Sequence, residues 1–256
     1  MGVCHERVKG IRVLIIIENQ MKSNQINMAN KRGYWQKIYL QVNHYWLKQV
    51  GIITFFGVLL FLATPPVLAH HPLDGRLPAN FFEGMMSGFG HPIIGFDHLA
   101  FVIASGLLAV GIARGILIPI AFVIATGIGA GIHLQGIDLP IPEIIIAASV
   151  VLFGVLLVIR QNKKLVINNT LLISGLAALA GIFHGHAYGE GIFGAETTPL
   201  VAYLIGFTLI QLVISLGIYF VASKVVKSIA FKYVTRFAGL AIASTGLVFL
   251  ASAITG

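Results

Sequence analysis

Cysteine is almost absent from this sequence of 256 residues, in which Cys4 is the only one. A chain with one cysteine forms no internal disulfide and carries no cluster of thiolates for a zinc or iron–sulfur centre. Removal of an N-terminal leader would take Cys4 with it. A metal site in the rest of the chain would then use imidazole and carboxylate ligands, which favour nickel, cobalt, zinc, iron or manganese over thiolate-bound copper.

Charged residues are also scarce, at 10% of the chain, whereas 57% of the residues are hydrophobic and the mean hydropathy is +0.91. This composition excludes an ordinary soluble domain and predicts an all-α integral membrane protein. The formal net charge of +8 arises mainly in residues 1–69, which hold eight Lys and Arg against two Glu. The positive net charge of the chain therefore does not indicate nucleic-acid binding.

Residues 1–69 have the pattern of a leader that ends in a secretory signal peptide. Basic residues precede an apolar run at 51–62, and a cleavage position follows at Ala69. The apolar run is short for a spanning helix, which needs about 20 residues. An uncleaved anchor remains the alternative, and Met21 or Met28 the alternative start.

The remaining sequence predicts an external N-terminal segment at 70–87 and a six-helix transmembrane bundle within 88–256. The connections between the apolar stretches are too short to hold a soluble domain, and runs of small residues allow the helices to approach closely. The predicted spans are 88–112, 115–135, 141–160, 168–187, 199–222 and 237–255.

Charge in the loops predicts the orientation of this bundle. The loops after the first, third and fifth spans carry eight Lys or Arg, whereas the alternate loops carry only Asp and Glu. Because cytoplasmic loops are enriched in Lys and Arg, the loops after the first, third and fifth spans should lie on the cytoplasmic side of a bacterial plasma membrane. The mature N-terminus then lies outside, as a cleaved signal peptide requires, and an even number of spans places the C-terminus outside as well.

On this topology, histidine and acidic residues gather at the outer ends of the spans, and the inner halves offer only uncharged residues such as Gln211 and Ser215. Ionisable groups at membrane depth are costly and usually face a partner, a cavity or a transported ion. Imidazole and carboxylate together suit a first-row divalent metal. For His133 taken alone, a packed and hydrogen-bonded side chain is the simpler interpretation. The candidate metal ligands are His70, His71, His91, Asp97, His98, His133, Glu143, His184, His186 and Glu190.

The spacing of the first motif predicts a distorted helix. On a straight helix His91 and His98 would lie roughly 10 Å apart along the axis, too far to share an ion easily. Pro92 and Gly95 allow a break. We therefore expect His91 in a loop or cap before the helix, with Asp97 and His98 on its first turns.

The second motif raises a similar difficulty. His184 and His186 would project about 200° apart on a continuous helix, so they can face one ion only if the helix opens at Gly185 or Gly189. His186 and Glu190 have the i,i+4 spacing that brings two side chains together.

These residues resemble the HupE/UreJ family of hydrogenase and urease accessory membrane proteins, regarded as nickel or cobalt permeases. The resemblance covers roughly residues 70–256. The first family motif is a histidine, five residues, then Asp-His, and it matches His91, Asp97 and His98. The second motif is Phe-His-Gly, a variable residue, Ala or Val, then His-Gly. It matches Phe183, His184, Gly185, Ala187 and Gly189.

The second motif also differs from the family pattern. Tyr188 stands where the family has its second histidine, His186 occupies the variable position, and Glu190 comes one residue before the usual glutamate. Pro142 and Glu143 also resemble a family feature. The interpretation that follows is that His186 and Glu190 supply the donors that Tyr188 does not.

The resemblance and the residues together predict secondary uptake of Ni²⁺ or Co²⁺ rather than an enzyme, with Zn²⁺, Fe²⁺ or Mn²⁺ as other ions of the same class. An enzyme maturation system that depends on nickel or cobalt is the implied partner. No P-loop pattern is present, so ATP hydrolysis by this chain is not expected. Two alternatives remain: an intramembrane metalloenzyme with Glu190 as its general base, and a metal-binding accessory or sensor that does not transport.

Overall fold

The computed structural model describes residues 76–160 and 169–255, apart from the side chains of Ile229 and Ala230. The predicted leader and signal peptide, together with His70 and His71, lie outside these residues. The described part of the chain is all-helical. Its helices are α1 (Phe81–Ile94), α2 (Phe96–Ala109), α3 (Leu117–Leu134), α4 (Pro142–Ile159), α5 (Thr170–Glu190), α6 (Thr197–Val225) and α7 (Ile229–Thr255).

Five of these helices are long and apolar enough to cross a membrane: α3, α4, α5, α6 and residues 231–255 of α7. The first predicted span is wrong as a single helix, because α1 and α2 meet at an angle of 78°. Gly95 separates them with extended backbone, at φ −71° and ψ 97°. Pro92, which has no N–H to donate, lies in the last turn of α1, so the break predicted from Pro92 and Gly95 is present.

The C-terminal helix also begins earlier than the sequence predicts, at Ile229 instead of residue 237. Lys232 and Arg236 therefore lie on the first turns of α7 and not in a loop. The other predicted spans agree with the helices to within a few residues, since their apolar stretches have clear ends.

The centre of the bundle is α2, which packs against α3, α4, α6 and α7. Most of its 14 residues are buried. The ring of Phe101 lies 4.6 Å from that of Phe122 on α3 and 4.4 Å from that of Phe153 on α4, measured between centroids. The short helix α2 thus contacts more of the described helices than any other does, and the side chains of its first turn are held inside the protein.

Close glycine contacts join the helices in pairs, α1 with α6, α3 with α5 and α4 with α7. A β-carbon at Gly185 of α5 would overlap the carbonyl oxygen of Thr126 on α3, and one at Gly88 of α1 would overlap that of Tyr203 on α6. Small residues at such contacts let membrane helices approach until their backbones touch. The side chains around these contacts are therefore held within narrow limits.

The segments that connect the helices differ in charge between the two ends of the bundle. At one end, here called the histidine end, α3 and α5 finish and α4 and α6 begin. The connections at this end carry acids but neither Lys nor Arg: Asp138, Glu143, Glu190 and Glu196. The opposite end, here called the basic end, carries Arg114, Arg160, Lys224 and Lys227.

Arg160 has a structural role at the basic end. Its Nη1 donates to the carbonyl oxygens of Leu107 at 2.8 Å and Leu108 at 3.2 Å. These are among the last carbonyls of α2, which have no partner within their own helix. A cation at a helix C-terminus is also favoured by the helix dipole, so Arg160 stabilises the end of the central helix.

Candidate metal centre

Three imidazoles and a phenol meet near the histidine end, in what we call the central cluster: His91 of α1, His98 of α2, and His184 and Tyr188 of α5. All four side chains are buried. Nδ1 of His98 lies 2.8 Å from Nδ1 of His184. The ring of Tyr188 lies 4.6 Å from that of His98 and 5.1 Å from that of His91. The two sequence motifs, 86 residues apart at His98 and His184, therefore form one site.

The bend between α1 and α2 brings the first motif together. The rings of His91 and His98 are 5.8 Å apart, about half their axial separation on a straight helix. Asp97 and His98 lie on the first turn of α2, as predicted. The prediction that His91 precedes the helix is wrong, because His91 lies in the last turn of α1. The helix continues past His91, and the break comes at Gly95.

Ser149 of α4 orients His184. The Ser149 hydroxyl donates to the carbonyl oxygen of Ile146 at 2.7 Å, so its oxygen is left to accept a hydrogen bond from Nε2 of His184 at 3.1 Å. A neutral His184 with its proton on Nε2 has its lone pair on Nδ1, the atom that faces His98. Histidines that bind metals are usually oriented in this way, through the ring nitrogen that does not bind.

Tyr203 of α6 does the same for His91. The carbonyl oxygen of Tyr188 lies 2.9 Å from the Tyr203 hydroxyl. Because a carbonyl can only accept a hydrogen bond, the hydroxyl donates its proton to it. The phenol oxygen therefore accepts from Nδ1 of His91 at 2.6 Å, and Nε2 becomes the basic nitrogen of a neutral His91. Gly191 leaves room for this ring, since a β-carbon there would lie 2.9 Å from Nδ1 of His91.

Asp97 brings a buried carboxylate to the same first turn. Only 5% of Asp97 is exposed, and its Oδ1 accepts the backbone N–H of His98 at 2.8 Å. Within residues 76–160 and 169–255, no Lys or Arg forms an ion pair with it. Asp97 also interacts electrostatically with Tyr188. A carboxylate buried without a cationic partner is costly, and a divalent ion would offset that cost.

Tyr188, at the position of the family's second histidine, belongs to the central cluster. It is fully buried, and its hydroxyl has no hydrogen-bond partner among the residues that the structure describes. Phe207 packs against its ring, with the centroids 5.2 Å apart. A buried phenol without a hydrogen-bond partner costs about 1–3 kcal/mol. A ligand with an oxygen atom, or a hydrated ion, would therefore be stabilised here by a hydrogen bond with this hydroxyl.

His186 lies in a different group, here called the outer cluster, with His133 at the end of α3 and Asp138 in the α3–α4 connection. Nε2 of His186 lies 3.2 Å from Nδ1 of His133. One potential ligand atom from each of the three residues lies within 4.8 Å of the other two. The expected opening of the helix at Gly185 or Gly189 is wrong, because α5 is continuous from Thr170 to Glu190.

The interpretation that His186 and Glu190 replace the donor missing at Tyr188 is therefore also wrong. His184 and His186 project to different sides of a continuous helix and reach different clusters. Glu190 and Glu143 are exposed and belong to neither cluster. Glu190 still acts on the outer cluster at longer range, since its charge interacts with His133.

Sequence reasoning missed three residues of these clusters. Tyr203 lies inside an apolar stretch, where a tyrosine gives no signal of a polar role. Ser149 is visible only as an uncharged polar residue of a predicted span. Asp138 lies in a short connection, and its position five residues after His133 was the available signal.

One pair of the central cluster, His98 and His184, has a spacing near that of two ligands on a first-row divalent ion, whereas among the described residues only the outer cluster brings three His, Asp or Glu ligand atoms within 4.8 Å of one another. Two imidazole nitrogens bound to one ion at about 2.0–2.1 Å lie about 2.9–3.3 Å apart, depending on the geometry. The 2.8 Å between His98 and His184 is close to this separation. Imidazole with carboxylate and phenol oxygen is a borderline donor set, which suits nickel, cobalt or zinc better than magnesium or calcium.

The comparisons with known proteins agree with the two motifs. A family model described as HupE / UreJ protein matches residues 58–249. Protein HupE of Rhizobium leguminosarum bv. viciae is 31% identical over 171 residues, which cover 66% of this chain and 85% of that protein. No solved structure matches the chain. The resemblance in the sequence is thus confirmed, and the chain belongs to the HupE/UreJ family.

Proposed function

We propose that this protein is a secondary permease that imports a divalent transition-metal ion, Ni²⁺ or Co²⁺, with the central cluster as its transport site. One observation carries the proposal: three buried imidazoles from α1, α2 and α5 meet inside an apolar bundle, and the next residue to one of them, Asp97, is a buried acid. Such groups are costly in a membrane unless they serve an ion or a partner. Their ligand chemistry selects a first-row metal, and the family favours nickel or cobalt among these.

The protein's own residues would act in order along the path. The imidazoles and the Asp97 carboxylate replace water molecules of the hydrated ion. Ser149 and Tyr203 hold two of the imidazoles in the tautomer that leaves a lone pair for the ion. Because these partners are already in place, little orientational freedom is lost when the ion binds.

Release would proceed towards the basic end through uncharged groups. Gln211 of α6 lies two turns beyond Tyr203, and its Nε2 donates to the hydroxyl of Thr126 at 3.4 Å. Its Oε1 is buried without a hydrogen-bond partner in the described part of the chain. An amide oxygen binds a transition metal more weakly than imidazole, so it would accept the ion without retaining it.

The membrane potential would supply the energy. One charge moved across 100 mV corresponds to about 2.3 kcal/mol, so a divalent ion gains about 4.6 kcal/mol in an inward-negative potential. ATP hydrolysis by this chain is not required. The proposed partner is an enzyme maturation system that uses the imported metal.

Six spans follow if α1 and α2 cross the membrane as one broken span. The contacts of both helices with α6 advance in the chain direction of α6, because Gly84 lies against Pro199, Gly88 against Tyr203 and Gly106 against Ser215. We propose that the histidine end faces outward and that the basic end lies in the cytoplasm, on the charge rule. Residues 1–69 would be a leader with a cleaved signal peptide, residues 70–87 an external segment, and both mature termini external to the plasma membrane.

Cysteine labelling tests this orientation. Because Cys4 is the only native cysteine, single cysteines placed at Glu196 and Lys227 after removal of Cys4 report one loop each. We expect a membrane-impermeant maleimide to label intact cells at position 196 and not at position 227. Labelling of position 227 from outside would contradict the proposed orientation.

Uptake by proteoliposomes tests the transport itself. Purified protein, reconstituted with an inside-negative potassium diffusion potential, should accumulate ⁶³Ni²⁺ or ⁵⁷Co²⁺ faster than protein-free vesicles, and dissipation of the potential should slow uptake. Each ion should compete with the other. Metal binding without potential-dependent accumulation would contradict a permease and favour a metalloenzyme or an accessory protein instead.

A further inference from the structure

We propose that the outer cluster of His133, Asp138 and His186 binds a second divalent transition-metal ion, separate from the transport site. This site goes beyond the proposed function, since it can hold an ion whether or not the protein transports one. Three observations support it: the distances between the ligand atoms, the crowding of polar atoms around His186, and the charge of the surrounding connections.

The distance between the two imidazoles matches a metal site. Nδ1 of His133 and Nε2 of His186 are 3.2 Å apart, and two nitrogens on one tetrahedral ion lie about 3.3 Å apart. The third ligand atom, from Asp138, lies within 4.8 Å of both. Asp138 is exposed, so its carboxylate can close the remaining distance by a change of rotamer. Water would complete the coordination.

His186 has more polar neighbours than one nitrogen can satisfy. Besides its contact with His133, Nε2 accepts a hydrogen bond from the backbone N–H of Leu139 at 3.2 Å and lies 3.2 Å from the carbonyl oxygen of Ile137. A ring nitrogen makes one hydrogen bond in its plane, either as donor or as acceptor. Nδ1 of the same ring is buried without a hydrogen-bond partner among the described residues. A cation that takes the place of the Leu139 N–H would give the lone pairs of Nε2 and of the Ile137 carbonyl oxygen a common partner.

The charge around the outer cluster also favours a cation. The α3–α4 and α5–α6 connections contain acids and neither Lys nor Arg. Both Asp138 and Glu190 interact electrostatically with His133. His133 is half-buried and His186 buried, whereas Asp138 is exposed. The cluster therefore has two firmly held ligands and one open side through which an ion can arrive and leave.

The two clusters are independent in geometry. His184 and His186 are two residues apart on a continuous helix, and their side chains project about 200° apart. His184 contacts His98 of α2, whereas His186 contacts His133 of α3. One ion cannot reach both pairs, so two sites should bind two ions.

Equilibrium dialysis of the purified full chain against Co²⁺ tests the second site. Asp138→Asn and His133→Gln alter side chains that are partly or fully exposed, so the fold should be kept. We expect each variant to bind one Co²⁺ fewer than the unmodified protein at ion concentrations that saturate it, or to bind that ion at least tenfold more weakly. Glu196→Gln, which removes an exposed acid at the same end, is the matched control and should bind as the unmodified protein does.

The outcomes separate the second site from the transport proposal. Unchanged Co²⁺ stoichiometry and affinity in both Asp138→Asn and His133→Gln would overturn the outer site, whatever the uptake assay gives. His98→Ala should lose a different ion and leave the outer one in place. A protein that fails to transport but loses one bound Co²⁺ in Asp138→Asn would contradict the permease and support the second site.

Discussion

Asp97→Asn and His98→Ala are each expected to reduce metal uptake by at least 100-fold while the protein still inserts and folds. His98 supplies the nitrogen that faces His184 at 2.8 Å, and Asp97 is a buried acid that would offset the charge of the ion on the proposed function. Neither substitution leaves an equivalent group, since alanine has no donor and the asparagine amide is uncharged. Initial rates of ⁶³Ni²⁺ uptake by proteoliposomes measure the effect.

Substitutions around the ligands should give smaller effects. Ser149→Ala and Tyr203→Phe keep every ligand but remove the oxygens that orient His184 and His91. Loss of such an orienting partner typically costs 10–100-fold in metal affinity or activity. Ser174→Ala is the control, because its buried hydroxyl has no hydrogen-bond partner in the described residues.

The first prediction has a clear contradicting outcome. Near-normal uptake by Asp97→Asn or His98→Ala would remove that residue from the proposed site.

The second large effect is expected from one methyl group on α5. A β-carbon at Gly185 would overlap the carbonyl oxygen of Thr126 and lie 2.6 Å from its Cα. Both are backbone atoms, so α3 and α5 must separate. Overpacking of this kind costs about 1–3 kcal/mol or more, and the separation would move His184 away from His98. Gly185→Ala should therefore lower the melting temperature in detergent and abolish uptake.

Gly175→Ala is the matched control for that substitution. It lies on the same helix, where a β-carbon would have no neighbour within 4 Å. Alanine is favoured over glycine inside a helix by about 0.5–1 kcal/mol, so this variant should be as stable as the unmodified protein or more stable. Equal melting temperatures for the two variants would show that the contact between α3 and α5 yields to a methyl group.

Hydropathy predicted the helices well because an apolar stretch of about 20 residues has few alternatives in a membrane. The break at Gly95 was also predictable, since Pro92 and a glycine three residues later act through local backbone rules. The angle of that break was not, because the packing of α1 and α2 against α6 decides it. The sequence therefore predicted that His91 belongs to the site, but not that it lies in the last turn of a helix that precedes the break.

The division of the histidines into two clusters was beyond the sequence. A motif with His184, Gly185, His186 and Gly189 suggested a broken helix, since glycine is a weak helix former. In the structure Gly185 and Gly189 instead allow α5 to approach α3, which keeps the helix continuous. Contacts between distant helices determine which role a glycine has, and those contacts also bring Ser149 and Asp138 to the histidines.

The shortness of α2 determines where a voltage would act. At 1.5 Å per residue α2 is about 21 Å long, whereas the hydrocarbon core of a bilayer is about 30 Å thick. α1 would supply the rest of the crossing, because it runs beside α6 at Gly84 and Gly88 before the bend of 78°, and the guanidinium of Arg160 lies at the far end of α2. A charged group inside a membrane draws water towards it. If the ion moves as proposed, water at Arg160 would shorten the distance over which the potential falls, and an ion that leaves His98 and His184 would cross most of the remaining potential along α2.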